Sequence, residues 1–244
     1  GGVTLMMAYV VNTNRFSLHG MYRSRLIRAY LGASHKEGER HPDPFTGFDE
    51  HDDLPMHELW PGRQGVNHDR ARRNLLHIVN MTLNLVGGKD LAWQERKAES
   101  FTVSPLHAGN RRLGYRSMEA PGDPEGKQFY GKSIGGMSLG TAMAISGAAA
   151  SPNMGYHSSP LVTLLLALCN VRLGAWLGNP GPRGRKTYYR EYPRFSIKPM
   201  IEEALGLTTD TSGYVYLSDG GHFENLGLYQ MVQRRCSLIV TAHV

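Results

Sequence analysis

Gly136-Met137-Ser138-Leu139-Gly140 fits the G-x-S-x-G pattern of a serine nucleophile elbow, and Asp219-Gly220-Gly221 offers a carboxylate left uncovered by two glycines. A carboxylate at a strand end can take the proton of a serine hydroxyl brought from another element, which is the arrangement that acyl transfer needs. Each has a plainer reading. Asp and Gly are ordinary turn residues, and a short pattern recurs by accident in a stretch as full of Gly, Ser and Ala as 133–159. An elbow also needs a strand leading into the serine and a helix leading out. "LGTAMAISGAAA" supplies the exit, whereas "FYGKSIGGM" has glycines at 131, 135 and 136 and a lysine where a buried strand calls for apolar residues. Ser138 therefore reads as a turn serine, with the nucleophile role as its alternative. Ser146 and Ser151 read as small residues in a tight helix contact.

His222 follows the aspartate closely, and its ordinary reading is an exposed loop histidine. Glu224 and Asn225 are placed to cap the next helix. The acidic run "FDEHDDLPMHELW" (Asp49, Glu50, His51, Asp52, Asp53, His57) matches neither an EF-hand loop nor H-E-x-x-H, so it reads as a solvated loop and no metal is expected. "GPRGRKTYYREYPR" interleaves Arg183, Arg185, Lys186, Arg190 and Arg194 with Tyr188, Tyr189 and Tyr192. Such a loop is either plain basic surface, a stacking platform for single-stranded nucleic acid, or a contact for phospholipid headgroups. Cys169 and Cys236 lack any metal-type or C-x-x-C spacing and read as buried free thiols.

These residues need elements to hold them. Residues 3–11 are β-prone, and 17–31 carry apolar residues at helical spacing with Ser17 as N-cap and Gly32 as stop. A polar excursion covers 34–73, a second unit runs over 74–85, and a strand is expected at 101–103. The apolar stretch 161–177 reads chiefly as a buried core helix; Asn170 and Arg172 count against a membrane span. Strand 214–217, a turn, a helix in "NLGLYQMVQRR" and a strand in "CSLIVTAHV" have the order of a parallel-sheet unit, which places Asp219 at a strand's carboxyl end. The 244 residues suit one large domain, and 29 glycines favour a turn-rich α/β protein over a helix bundle. A net charge of +6 favours anionic surfaces without choosing among them. No signal-peptide pattern is visible, and both chain ends read as cut within strands.

"YLSDGGHFENLGLYQMVQRRC" resembles the Asp-Gly-Gly block of patatin-like phospholipases and the related cytosolic phospholipase A family. "AISGAAASPNMG" resembles the Ser-Ala-Ala-Pro segment upstream of that block. With "NRFSLHGMYRSRLIRAYLGAS" and "NLVGGKDLAWQERKAESF", the resemblance to a bacterial branch of the family covers most of the chain. It implies an α/β patatin-like fold with a mainly parallel sheet flanked by helices, residues 1–244 being the C-terminal part of one truncated domain. It also implies a lipid acyl hydrolase with a Ser/Asp dyad: Asp219 as the dyad aspartate, Gly220 and Gly221 supporting it, and no cofactor. The family's nucleophile motif lies near the start of its domain, and residues 1–130 hold none. The resemblance therefore implies a serine upstream of residue 1, and the 244 residues alone are expected to be inactive. Its implied partners are a phospholipid or other lipid ester and an anionic membrane surface, not nucleic acid. Its implied location is the cytoplasm or the membrane periphery, with any spans outside this region. The rival is a non-catalytic membrane-associated module that docks on anionic lipid through the basic aromatic loop.

Overall fold

The structure, a computed structural model, describes residues 9, 12–36, 38–60, 75–88, 97–118, 130, 137–152, 160–168 and 171–242. Its centre is a six-stranded sheet formed by β1 (Val79–Asn84), β2 (Ala98–Val103), β3 (His107–Asn110), β4 (Gly114–Ser117), β5 (Ala175–Gly178) and β6 (Tyr214–Asp219). The strand order is β4-β3-β2-β1-β6-β5, and every neighbouring pair runs antiparallel. The expected parallel sheet flanked by helices is thereby overturned. Two features account for the error. β6 lies between β1 and β5 and opposes both, so the order strand, turn, helix does not continue into a parallel neighbour. Residues 236–242 form no strand, and Leu238 and Val240 stand 80% and 86% exposed.

The strands alternate, as antiparallel strands do when their two faces meet different surroundings. Met81 pairs with Phe101, Val79 with Val103, Leu83 with Leu217 and Leu177 with Val215, which assembles one apolar face. Against it packs α2 (Leu139–Ser146), contributing Leu139, Ala142 and Ile145 to the core together with Met56 and Met137. The other face is polar yet also buried: Thr82 opposes Ser100 and Ser218, and Trp176 opposes Tyr216. Hydrogen bonds satisfy part of it, while Asn80 Oδ1 and Gln230 Oε1 are buried without a partner among the described residues. Asn84 donates to Ser218 Oγ at 2.8 Å, and Gln230, from α5 (Leu228–Gln233), donates to Ser100 Oγ at 2.8 Å.

The helix begun at Ser17 is present: α1 spans Leu18–Leu26, Ser17 Oγ accepts from His19 N–H, and a π-turn carries it to Leu31. Its buried residues are His19 and Ile27, whereas Leu18, Met21 and Tyr30 of the apolar stripe are 38–64% exposed. Close approach to α2 explains this. A Cβ at Gly140 would lie 2.4 Å from Ile27 Cγ1, and one at Gly147 would lie 2.7 Å from the Tyr22 hydroxyl, so glycines receive these two side chains.

The stretch 161–177 is not one helix. α3 covers Pro160–Leu168, and β5 begins at Ala175. Arg172 is buried and paired with Glu203 of α4 (Ile197–Ala204), which also accepts from Trp176 Nε1 at 3.0 Å. No helix among the described residues is long and apolar enough to cross a membrane. The expected strand at 3–11 lies outside the described residues except at Tyr9, which is helical.

Candidate functional site

Alternation along β6 places Val215, Leu217 and Asp219 on the apolar face, so the carboxylate ends the strand on the α2 side. There it lines an open cleft of about 540 Å³ with Tyr22 and Leu26 of α1, Asn80 of β1, and Met143 and Ser146 of α2. Asp219 Oδ1 accepts from Gly221 N–H at 2.8 Å; Oδ2 has no hydrogen-bond partner among the described residues. One oxygen is thus held and the other is available to a ligand's proton.

The two glycines have separate reasons to be there. A Cβ at residue 220 would meet the Asn80 carbonyl oxygen at 2.9 Å, so Gly220 lets the turn pass against the backbone of β1. A Cβ at residue 221 would lie 2.3 Å from Asn225 Oδ1 and 3.2 Å from Asp219 Oδ1. Burial and the Asp219 carboxylate hold the Tyr22 phenol above its ordinary pKa, and its hydroxyl donates to the Gly147 carbonyl at 3.1 Å. Ser146 shares the cleft with Asp219, but its hydroxyl donates to the Asn80 carbonyl at 2.7 Å. Ser151 is buried, accepting from Gly174 N–H at 3.2 Å.

Ser138 is elsewhere. It caps the N-terminus of α2, accepting from Thr141 N–H at 3.2 Å and donating to Thr141 Oγ1 at 2.9 Å. Around it is a separate cleft of about 610 Å³ lined by Arg23, Asp53, His19 and Glu191. Asp53 pairs with Arg23 and accepts from Gly140 N–H at 2.8 Å. The second glycine of the pattern therefore packs under Ile27 and bonds to Asp53, a structural role that leaves Ser138 and Asp219 in different clefts. Gly136 and residues 131–135 lie outside the described residues; Met137 is buried in the core and its carbonyl accepts from Met56 N–H at 2.9 Å.

His222 does not join Asp219 either. Ser218 points to the opposite face of β6 from Asp219, and its hydroxyl lies 2.8 Å from His222 Nδ1. The histidine is half-buried and anchored instead of freely exposed. Glu224 does cap: its Oε2 accepts from Tyr229 N–H at 3.3 Å, and its Oε1 from Leu226 N–H.

The acidic run is not a solvated loop. Asp49 and Asp52 are 4% and 1% exposed. Asp52 pairs with Arg40 at 2.6 Å, and backbone N–H groups of His51 and His41 pull the Asp49 carboxyl down to about 2. No metal-type cluster of His, Cys, Asp and Glu occurs among the described residues. Cys236 is exposed, contrary to expectation; Cys169 lies outside the described residues. In the basic loop, Arg183, Arg185 and Lys186 are exposed. Tyr188, Tyr189 and Arg190 are half-buried, with Arg116 4.5 Å above the Tyr188 ring and Arg190 5.5 Å from that of Tyr189.

Compared with models of protein families, with curated proteins and with solved structures, the chain matches none. Sequence reasoning missed Tyr22 and Asn80 as walls of the Asp219 cleft. The only signal for Asn80 is its place in the alternation of 79–84, where polar residues recur at every second position.

Proposed function

We propose that this chain supplies the aspartate half of a Ser/Asp lipid acyl hydrolase. The observation that carries the reading is Asp219 itself: a strand-end carboxylate in an open cleft, with Oδ1 held by Gly221 N–H and Oδ2 unpartnered among the described residues. The resemblance of the Asp-Gly-Gly block to patatin-like phospholipases supports the same role. The serine belongs to sequence outside these 244 residues. Its Oγ attacks the ester carbonyl while Asp219 takes the proton, which then passes to the departing alkoxide. Water next attacks the acyl-enzyme, again giving its proton to Asp219, and the fatty acid leaves as serine is restored. Apolar Leu26, Ile78, Val79 and Met143 along the cleft suit an acyl chain. Exposed Arg183, Arg185 and Lys186 suit an anionic membrane surface.

The test is release of fatty acid from phospholipid vesicles by the protein with its natural flanking sequence. Asp219→Asn is expected to lower the rate by about 10² to 10⁴ with the circular-dichroism spectrum unchanged. Hydrolysis at the unaltered rate in that variant removes the aspartate from the mechanism.

A further inference from the structure

On the sheet face opposite Asp219, near the other end of β6, Trp176 and Tyr214 line a second cavity of about 330 Å³. Five residues of strand at about 3.3 Å each put it about 17 Å along β6 from Asp219. Phe195 and Pro199 add apolar walls, and the cations there are Arg190, Arg194 and Lys198. Among the described residues one carboxylate, Glu202, lines this cavity, and it is paired with Lys198 at 3.7 Å.

Arg190 is the informative residue. Its guanidinium is held by neutral groups, the Tyr214 and Tyr189 hydroxyls, each at 3.4 Å, and its Nε is buried without a hydrogen-bond partner. Neither Arg190 nor Arg194 pairs with a carboxylate among the described residues. A half-buried guanidinium held by neutral groups alone, with a buried Nε lacking a partner, stands beside an apolar cavity ready to receive an anion. The complementary ligand has an anionic head for the arginines and an apolar body for the aromatic walls.

We propose that this cavity binds one single-chain anionic amphiphile, its carboxylate or phosphate head at Arg190 and Arg194 and its chain against Trp176 and Phe195. The site is separate from the Asp219 cleft and stands whether or not Asp219 is catalytic. A head of this chemistry comes either from a fatty acid or from a monoacyl phospholipid.

Calorimetric titration of the protein with dodecanoate, dodecyl phosphate, dodecanol and inorganic phosphate, each below micellar concentration, tests it. Both anionic amphiphiles are expected to bind, the alcohol and the inorganic ion about tenfold or more weakly by comparison. Tighter dodecanoate binding identifies the fatty-acid source, and tighter dodecyl phosphate binding the phospholipid source. Arg190→Gln is expected to cost the anionic ligands about tenfold while sparing dodecanol. Because Arg190 also holds two tyrosines, exposed Arg194→Gln serves as the second variant with the same expectation. Dodecanol binding as tightly as dodecyl phosphate overturns the proposal, as does unchanged binding in both arginine variants. Inorganic phosphate binding as tightly as the amphiphiles reduces the site to an adventitious ion only. Asp219→Asn should leave amphiphile binding intact; its loss there would assign the ligand to the other cleft and overturn the proposal.

Discussion

Glu99 ties a buried carboxyl to the pH dependence of folding. It lies on β2 opposite Leu83, is 6% exposed, and has one oxygen buried without a partner. Burial raises its pKa from 4.5 to about 7; Arg112 opposes the shift and Asp210 adds to it. Between those values the folded state keeps a proton that the unfolded chain has released, so stability falls as pH rises through the window and the full cost is present above pH 7. A shift of that size is worth about 3 kcal/mol at about 1.4 kcal/mol per unit. The wild-type profile will not display it plainly. His19, buried and donating from Nδ1 to the Leu173 carbonyl at 2.6 Å, has its pKa lowered to about 4, chiefly by burial. Below pH 6.5 the unfolded chain gains a proton on His19 that the folded state refuses, so this group makes stability rise with pH where Glu99 makes it fall. Glu99→Gln separates the two. Urea unfolding of wild type and variant at pH 5, 6, 7 and 8 should show the variant gaining on wild type by about 2.5 kcal/mol across the series, the remainder of the shift having been lost below pH 5. Any constant offset from burying an amide does not enter that difference. Parallel stability curves would refute the reasoning.

His19→Gln should leave the Glu99 effect exposed, so that the variant's stability falls from pH 5 to pH 7 where wild type stays nearly flat; equal slopes in urea unfolding would contradict it. Glu203→Gln removes the buried partner of Arg172 and leaves that charge uncompensated, at a cost of about 3 to 5 kcal/mol. A loss below about 1 kcal/mol in the same assay would mean that the pair is solvated in solution. Gly221→Ala displaces Asn225 and the N–H that holds Asp219, so vesicle hydrolysis should drop about tenfold or more while the thermal midpoint moves little. Unchanged kcat would show that the turn does not orient the carboxylate.

Local signals were legible where local chemistry decides. Ser17 caps α1, Glu224 caps the next turn, and the strands at 101–103 and 214–217 exist, because caps and β-prone runs depend on nearby residues. The sheet's direction was not legible. β6 meets β1 about half the chain away, and nothing near Tyr214 reveals which strand it will oppose. The alternation of 79–84 held the clue, polar and apolar by turns, as in a strand whose faces differ. Buried charge was hidden for the same reason. "DEHDD" looks solvated until Arg23 and Arg40 arrive to pair with Asp53 and Asp52, and Arg172 looks misplaced in an apolar run until Glu203 packs against it. Within the candidate site, the Asp-Gly-Gly turn was read from its residues. The separation of Ser138 from it depends on α2 presenting its two ends to different clefts, which only the packing decides.

The central claim is that Asp219 activates a serine that is not Ser138. Fluorophosphonate labelling of the protein with its natural flanking sequence, with the modified residue located by mass spectrometry, tests it most directly. The account predicts a single labelled serine outside residues 1–244, with labelling abolished by Asp219→Asn and untouched by Ser138→Ala. A label on Ser138, or labelling that persists at full rate in Asp219→Asn, would contradict it.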